Sequence, residues 1–524
     1  MPKILTLLFL SLLMSSDLCG QLYQWDGHTT YDRMGESVSA AGDVNGDGFD
    51  DLLVGALGAH NRITGSATGS AFVYSGANGS VLFQWDGQYS SDRFGQSVSG
   101  AGDVNGDGFL DFIVGADTAD NNGSASGSAY VYSGANGSLL YRWDGENDFA
   151  RFGWSVSGAG DINGDGFDDL IVGAIYADNN GLNGGSAYVY SGANGALFYR
   201  WDGSASDALG ATVSGAGDVN GDGFDDLIVG ARNTDNIIRN GGTAYVYSGA
   251  NGTLLYQWDG QKENGSFGGS VSGAGDVNND GLDDLIVGEW NGDFNGIEGG
   301  TAYVYSGANG SLIYKWGAQN TYDRFGGDVS GAGDVNGDGF DDLIVGALWS
   351  DNNGVDSGTV YIYSGASGTL LNQWDGQNPE AEFGKSVSGA SDVNGDGFDN
   401  VIVGANFDSN NGIDSGSAYV YSVFVNYSIT PMTAGNSATF TITGATPNSS
   451  VTLGYSFLGA GPFATSFGIV DMTPPINTLA VLSADAIGDA SLTVNVPGGI
   501  SGRTLYTQGL NVGLLTNSLS EFIN

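Results

Sequence analysis

Hydrophobic and polar positions along this chain alternate in short runs, and the whole pattern recurs about every 58 residues. In the second repeat, residues 97–102 are small and alternating, residues 112–116 form a continuous apolar run, and residues 128–132 and 139–144 alternate again. Short runs of period two predict β-strands, and a continuous apolar run of this length predicts a fully buried one. No helical periodicity occurs. Each repeat therefore predicts four short antiparallel strands, which is typical of a propeller blade.

The number of repeats follows from an acidic string that occurs seven times. The string is Asp-Val-Asn-Gly-Asp-Gly-Phe-Asp-Asp or a close variant. The seven copies begin at intervals of 57 to 60 residues, at Asp43, Asp103, Asp161, Asp218, Asp276, Asp334 and Asp392. The seventh repeat lacks a fourth strand, whereas residues 21–26, ahead of the first string, carry the Trp-Asp ending of one. When residues 21–26 are counted as a fourth strand, the fourth-strand tryptophan occurs seven times, at Trp25, Trp85, Trp143, Trp201, Trp258, Trp316 and Trp374.

These counts predict an all-β fold in which residues 21–422 form a seven-bladed β-propeller with four antiparallel strands per blade. We expect the amino-terminal strand to complete the seventh blade, because closure removes the sheet edges that an open solenoid would expose. From residue 423 to 524 the acidic strings stop and Thr, Val and Leu alternate. That segment predicts a small β-sandwich-like domain.

Residues 1–20 have the pattern of a signal peptide, with Lys3, an apolar run and then small residues. The single cysteine, Cys19, lies at the expected cleavage site. Cleavage near Gly20 removes it, and the alternative is a lipidated Cys19. We expect a secreted or cell-surface protein, extracellular or periplasmic, without direct membrane insertion.

The composition is strongly acidic, with 59 Asp and Glu against 14 Lys and Arg and a formal net charge of -45. This charge excludes nucleic acid as a partner, since phosphate must be neutralised by basic side chains. Charged residues are nevertheless only 14% of the chain and hydrophobic residues 41%, which indicates a folded protein.

The acidic strings have the donor pattern of a calcium loop. Oxygen-bearing side chains stand at positions 1, 3, 5 and 9 of each string, and glycine stands at position 6. Calcium takes 6–8 oxygen ligands, so we expect these side chains and the main-chain carbonyl at position 7 to bind it. An EF-hand would instead require Glu at position 12 and flanking helices. The predicted ligands are Asp43, Asn45, Asp47, Phe49 and Asp51; Asp103, Asn105, Asp107, Phe109 and Asp111; Asp161, Asn163, Asp165, Phe167 and Asp169; Asp218, Asn220, Asp222, Phe224 and Asp226; Asp276, Asn278, Asp280, Leu282 and Asp284; Asp334, Asn336, Asp338, Phe340 and Asp342; Asp392, Asn394, Asp396, Phe398 and Asn400.

Departures from the string predict how the seven sites differ. Leu110 replaces Asp at position 8, so that position is expected to face solvent. Leu282 replaces Phe at position 7 of the fifth string, which does not weaken calcium binding if only the main-chain carbonyl of that position is a ligand. Asn400 replaces Asp at position 9 of the seventh string, so we expect that loop to bind calcium most weakly. The strings hold 26 of the 59 acidic residues. Because these carboxylates repel one another without a cation, we expect up to seven structural calcium ions.

The repeats resemble the FG-GAP family, the propeller repeat of integrin alpha subunits. The Phe-Gly element stands at Phe94, Phe152, Phe267, Phe325 and Phe383, with softer matches at Met34 and Leu209; the Gly-Ala element begins at Gly55, Gly115, Gly173, Gly230, Gly346 and Gly404, while Gly288 precedes Glu289. The resemblance implies calcium in the loops joining first and second strands, with adhesion-type ligand recognition on the opposite face. No inserted domain or membrane helix is evident, so the chain is more similar to a free-standing, bacterial-type secreted protein than to a true integrin subunit.

Four bulky residues that the repeat does not require follow the Gly-Ala elements: Tyr176, Trp290, Trp349 and Phe407. We expect them to bind an extracellular protein or glycan, or else to plug the central channel. No catalytic constellation is evident, and the two histidines, His28 and His60, lack metal-ligand spacing. The chain is therefore not expected to be an enzyme. The alternative is a carbohydrate-binding lectin or a calcium-dependent polysaccharide lyase.

Overall fold

A computed structural model describes residues 20–423 continuously and ten strands between residues 426 and 522. The predicted signal peptide and Cys19 lie outside the described residues. The chain divides into two compact units, of which one is Gln21–Asn426 and the other contains Tyr427–Asn524. Every regular element in the described part is a β-strand. None of its segments is a helix with the length and apolar character of a membrane span.

The first unit is a seven-bladed propeller of four-stranded antiparallel sheets, as predicted. The first strands of blades 1 to 7 are Met34–Gly42, Phe94–Gly102, Phe152–Gly160, Leu209–Gly217, Phe267–Gly275, Phe325–Gly333 and Ser386–Ser391. The second strands are Asp51–Ala56, Asp111–Ala116, Asp169–Ala174, Asp226–Ala231, Asp284–Glu289, Asp342–Ala347 and Asn400–Ala405. The third strands are Ser70–Tyr74, Ser128–Tyr132, Ser186–Tyr190, Thr243–Tyr247, Thr301–Tyr305, Thr359–Tyr363 and Ser417–Ser422. The fourth strands are Val81–Asp86, Leu139–Asp144, Leu197–Asp202, Leu254–Asp259, Leu312–Gly317, Leu370–Asp375 and, for blade 7, Gln21–Asp26.

Burial follows the sequence pattern of each strand. All seven second strands are buried along their whole length, because the first and third strands flank them and neighbouring blades cover both faces. First strands contact one another around the axis, and that of blade 7 contacts that of blade 1. Their Gly, Ala and Ser residues permit this close approach.

The amino-terminal strand closes the ring, as the sequence predicted. Gln21–Asp26 pairs antiparallel with Ser417–Ser422, placing Trp25 opposite Ala418 and Asp26 opposite Ser417. The Ser417 hydroxyl donates to Asp26 Oδ1 at 2.7 Å across 391 residues of sequence. The equivalent bond within blade 1, from Ser70 to Asp86, has the same length. Blade 7 is thus built like the others, from both ends of the propeller sequence.

Glycine pairs explain the spacing of the Phe-Gly and Gly-Ala elements. A Cβ placed on Gly55 of blade 1 would overlap the carbonyl oxygen of Gly95 in blade 2, and Gly95 itself has a φ of +85°. Neither position accepts a side chain, because backbone meets backbone there. The same contact recurs at every blade interface: Gly115 with Gly153, Gly173 with Gly210, Gly230 with Gly268, Gly288 with Gly326, Gly346 with Gly384, and Gly404 with Gly35.

Aromatic stacking joins the blades farther from the axis. Trp25 stacks on Tyr74 of blade 1 with ring centroids 4.3 Å apart, and its Nε1 donates to the Gly79 carbonyl at 2.9 Å. All seven fourth-strand tryptophans stack on the third-strand tyrosine of the next blade, at centroid distances from 4.1 to 4.7 Å. Such stacked pairs add to the stability gained by area burial alone.

The second unit is described only as strands. One sheet contains Asn426–Ile429, Ser437–Thr443 and Ala490–Asn495; another contains Asn477–Ser483, Ser450–Ser456, Thr504–Asn511, Leu514–Leu515 and Leu519–Phe522; Phe463–Thr465 and Gly468–Val470 form a hairpin. These strands agree with the predicted all-β class, and the sandwich itself stays a prediction.

Ring closure can be tested with matched disulfides. We expect oxidation of the double variant D26C/S417C to raise the free energy of unfolding by about 3 kcal/mol more than oxidation of S70C/D86C, because the first bridge closes a far longer loop of the unfolded chain. Both pairs are opposite each other in antiparallel strands and replace the same Ser–Asp bond, at separations of 391 and 16 residues. Urea unfolding with and without dithiothreitol measures the difference. Equal shifts for the two bridges would contradict closure by the amino-terminal strand.

Candidate functional site

The acidic loops and the non-repeated aromatic residues lie at opposite ends of the second strands. In blade 1, the acidic loop precedes Asp51 and the variable loop follows Ala56, the first and last residues of one strand. The same holds for each blade, so the ring has an acidic-loop face and a variable-loop face. The loops between blades lead into the first strands and lie on the variable-loop face.

Within an acidic loop, the Asp at position 1 organises the turn. Asp43 Oδ1 accepts hydrogen bonds from the N–H groups of Gly46 and Asp47 at 2.7 and 3.1 Å, and its Oδ2 accepts from Gly48 N–H at 2.8 Å. Gly48, at position 6, has a φ of 90°, which explains the preference for glycine there. Asn279, at position 4 of the fifth loop, has a φ of 56°, a conformation that Asn tolerates.

The carboxylate at position 9 lies under the loop and is fully buried. Asp51 accepts from Gly76 N–H at 3.0 Å and from Val44 N–H at 3.1 Å, and the Asn45 amide lies 3.2 Å from Oδ2. Burial raises the pKa of Asp51 to about 6 despite these hydrogen bonds, and the charges of Asp47 and Asp43 raise it as well. The equivalent pKa values are also raised, to about 6 for Asp169 and Asp226 and to about 7 for Asp111, Asp284 and Asp342.

A raised carboxylate pKa means that the charged form is disfavoured in the folded protein, and a bound cation would reverse this. The chemistry of the loop fits calcium, since carboxylate, amide and main-chain oxygens occur within nine residues. At position 3, Asn45 Nδ2 donates to the position-9 carboxylate at 3.2 Å, which brings two of the predicted ligand residues next to each other. In the described residues, three or more acidic, histidine or cysteine side chains do not converge into a preformed metal cluster. The loop carboxylates are instead held by backbone N–H groups.

The seventh loop differs where the sequence predicted a weaker site. Asn400 is fully buried, and its Oδ1 accepts from Val393 N–H at 3.1 Å. Its Nδ2 is buried without a hydrogen-bond partner. The Asn394 amide donates to Asp396 at 3.1 Å rather than to position 9. A buried N–H donor therefore replaces the carboxylate oxygen of the other six loops.

The prediction that position 8 faces solvent is confirmed for Leu110, which is 38% exposed, and is wrong for the Asp residues there, which are half-buried. Asp168, in the third loop, accepts from the backbone N–H of Asp103 in the second loop at 2.7 Å. Equivalent bonds join Asp283 to Asp218, Asp341 to Asp276, and Asp399 to Asp334, at 2.8 to 2.9 Å. Leu110, which suggested solvent exposure, lies over Gly42 of the preceding blade. In these four pairs position 8 links one loop to its neighbour, a contact between residues 65 apart that a single repeat does not reveal.

On the variable-loop face, the structure brings three of the four predicted aromatic residues into one arc. Trp290 and Trp349 line a cavity of about 270 Å³ with Arg324 between them, 5.7 and 4.3 Å from their ring centroids. The Tyr176 hydroxyl is hydrogen-bonded to the guanidinium of Arg232, and this guanidinium in turn lies over the ring of Trp290. Phe407 lies apart from them, 4.6 Å beneath the guanidinium of Arg33.

Sequence reasoning missed Arg232 and Trp154 as members of this arc. Arg232 directly follows Ala231 as Trp290 follows Glu289, so the two occupy equivalent positions in successive blades. Its guanidinium lies 6.0 Å from the Trp154 ring and 5.3 Å from the Trp290 ring. The sequence could have indicated Arg232 only through its position, which is equivalent to that of Trp290, because its residue type gives no such indication. We call Trp154, Arg232, Trp290, Arg324 and Trp349, with Tyr176 beside Arg232, the tryptophan–arginine arc.

Both histidines line a second cavity, of about 390 Å³, which the sequence did not indicate. His60 Nδ1 lies 3.5 Å from Asp32 Oδ1 and 3.4 Å from Thr29 Oγ1. The Thr29 hydroxyl, however, donates to Asp32 Oδ1 at 2.6 Å. Its proton is therefore directed to the carboxylate and not to the imidazole, unlike a hydroxyl nucleophile that a histidine base activates.

Comparison with known proteins gives matches along the propeller. The FG-GAP repeat model matches five segments: residues 34–74, 94–132, 152–190, 209–247 and 325–363. Integrin alpha-V of Gallus gallus is 32% identical over 223 residues, which cover 39% of this chain and 20% of that protein. Integrin alpha-5 of Xenopus laevis is 30% identical over 238 residues, which cover 42% of this chain and 22% of that protein. The chain thus spans about a fifth of the length of these curated relatives.

The link at position 8 can be tested with D283N and D283A. Both variants remove the charge, but only Asn keeps an oxygen that can accept from Asp218 N–H. We expect D283A to be less stable than D283N by about 1 kcal/mol, the usual net value of one hydrogen bond. Urea unfolding measures stability, and hydrogen exchange at the Asp218 amide is the local control. Equal stability together with equal exchange would show that the loops are not linked there.

Proposed function

Because this chain matches the FG-GAP repeat in five segments and is similar to integrin alpha subunits over 223 to 238 residues, we propose that it is a calcium-stabilised ligand-binding module of the adhesion type. It acts outside the cell, secreted or on the cell surface. One observation carries the proposal: a rigid ring presents repeated acidic loops on one face and a non-repeated aromatic and cationic arc on the other. A loop that is repeated in every blade is suited to binding a structural ion, whereas residues that differ from blade to blade are suited to recognising one specific ligand.

In this proposal calcium has a structural role. The side chains at positions 1, 3, 5 and 9 and the carbonyl at position 7 hold one ion in each loop, up to seven in all. The ion offsets the repulsion among carboxylates whose pKa values burial raises, as at Asp51 and Asp111. We expect affinities on the order of 10⁻⁴–10⁻³ M, as in other extracellular calcium modules.

The ligand is an extracellular protein or glycan that binds the variable-loop face. Trp349 is 37% exposed, and it lines a cavity with the charged residues Arg324, Glu382 and Lys385. An exposed aromatic surface beside charged groups is typical of binding sites on rigid scaffolds.

The role proposed is binding without catalysis. The FG-GAP and integrin similarity supports it, and so does the Thr29 hydroxyl, which is directed away from the only described histidine within its reach. A lectin would be a special case of this proposal. A polysaccharide lyase would contradict it.

Reciprocal variants test the calcium proposal. D51N gives the first loop the Asn of the seventh, and N400D gives the seventh loop the Asp of the others. We expect D51N to bind one calcium ion fewer and N400D one more, as counted by isothermal titration calorimetry. At a hundredfold excess of calcium over Kd each site contributes about 2.7 kcal/mol, so the shift in melting temperature between calcium and chelator should fall in D51N and rise in N400D.

Comparing each variant with and without calcium removes the effect of the substitution on the apo protein. Magnesium at the same concentration is the control for ionic strength, because Mg²⁺ requires a smaller octahedral shell. Melting temperatures that do not change between calcium and chelator would contradict the structural role.

A glycan array and capture of extracellular proteins, both with the full chain in calcium, test ligand binding. We expect W349A to lose about thirtyfold or more in affinity for whatever is bound, since truncating a central aromatic anchor typically costs about 2 kcal/mol or more. F198A is the matched control, because Phe198 is similarly exposed, at 39%, on the outer strand of blade 3. Equal losses in the two variants, or release of unsaturated sugars from a bound polymer, would contradict the proposal.

A further inference from the structure

The tryptophan–arginine arc contains positive charge that the protein itself does not neutralise. Arg232 and Arg324 form no ion pair with any residue in the described part of the chain, although acidic residues outnumber basic ones fourfold. Burial lowers the pKa of both guanidinium groups, so each is partly shielded from water without a compensating carboxylate. Each instead contacts aromatic rings, which stabilise a cation less than an anion does.

Another part of the same face shows what a neutralised arrangement looks like. Arg93 and Arg151 both donate to Asp117 Oδ2, at 3.2 and 2.9 Å, and Asp117 is fully buried. The equivalent residue in blade 4 is Arg232 and in blade 5 is Trp290. Blades 4 and 5 thus replace the internal carboxylate by a cation and an indole, and leave the anion to be supplied from outside.

Trp290 contributes a donor to the same place. Its Nε1 is buried and has no hydrogen-bond partner. The guanidinium carbons of Arg232 and Arg324 lie 5.3 and 5.7 Å from its ring. Arg324 also donates to the Asn291 amide oxygen and Arg232 contacts the Tyr176 hydroxyl, but each guanidinium has further N–H groups. Together with the Trp290 N–H, they are donor-only groups around one indole ring, and an anion is the ligand that can accept from all three.

The adjoining cavity limits the size and class of the ligand. Its volume of about 270 Å³ lies just below the 300–1,000 Å³, or about that, of most small-molecule sites, so it accommodates one small unit of a larger ligand. Trp349 forms one wall and keeps an exposed surface on which a ring can stack. The two other charged residues that line this cavity have partners: Lys385 lies 3.8 Å from Glu36, and Glu382 accepts from Trp349 Nε1 at 3.1 Å. Arg324 is the cationic lining residue that has neither an ion pair nor an acidic hydrogen-bond partner among the described residues.

We propose that the arc binds an acidic sugar unit of a glycan, with Arg232, Arg324 and the Trp290 N–H contacting its anionic group and Trp349 stacking on its ring. This assignment rests on the proposed function, since it names the ligand class of the variable-loop face. It distinguishes acidic from neutral glycans and disfavours a purely protein ligand.

The probe is trigalacturonate, compared with its methyl ester, in which the carboxylates are neutral. Titration calorimetry on the full chain, at one fixed calcium concentration, should show binding of the acid that is about tenfold or more tighter than binding of the ester. R232M and R324M keep the aliphatic stem and remove the charge, and each should lose most of this preference. R239M is the matched control, because Arg239 is exposed in the variable loop of the same blade and forms no ion pair with a described residue.

Several results would overturn the assignment. These are no binding of trigalacturonate, equal binding of acid and ester, equal effects of R232M and R239M, or tighter binding of an Asp-rich hexapeptide than of the sugar acid. The melting temperature of each variant with and without calcium is measured in parallel. A normal calcium response and binding of some other ligand on the array, with no preference for the acid, would defeat the acidic-sugar assignment while leaving the proposed function intact.

Discussion

The contact between blades at paired glycines is the constraint on which the rest of this structure depends. At each interface the backbone of one second strand meets the backbone of the next first strand, with no room for a Cβ on either side. Such an approach fixes the distance and angle between blades, because backbone atoms cannot repack as side chains can. Seven identical interfaces then bring Gly404 against Gly35, and the ring closes.

Closure of the ring also determines which charges and hydrogen-bond donors surround each acidic loop. Because the blades are fixed, each loop lies beside the next, and Asp at position 8 reaches across to a neighbouring backbone N–H. The loops form a connected rim of carboxylates, several of them buried, rather than seven separate turns. Electrostatic repulsion within such a rim opposes folding, so a proposed calcium ion in one loop acts on the same elements that hold its neighbours.

The opposite face uses the same scaffold in a different way. There the seven positions after the second strands carry six different residue types. Neighbouring glycines such as Gly269 and Gly327 leave space that Trp290 and Leu348 occupy. Four arginines before the first strands, including Arg324, have positive φ, which sets the direction in which their side chains leave the backbone. Specificity can therefore change residue by residue without disturbing the ring, since these side chains stand outside the glycine contacts.

The sequence by itself determined the blade number, the strand order, the closing role of Gln21–Asp26 and the acidic loops. These features repeat, and a repeat reports the contacts within one blade directly. Only the tertiary structure decided that position 8 bridges two loops and that Arg232, Trp290 and Arg324 share one site. Those contacts join residues of successive blades that are 34 to 65 positions apart in the sequence, and they depend on the angle between blades. Periodicity within a repeat contains no information about that angle.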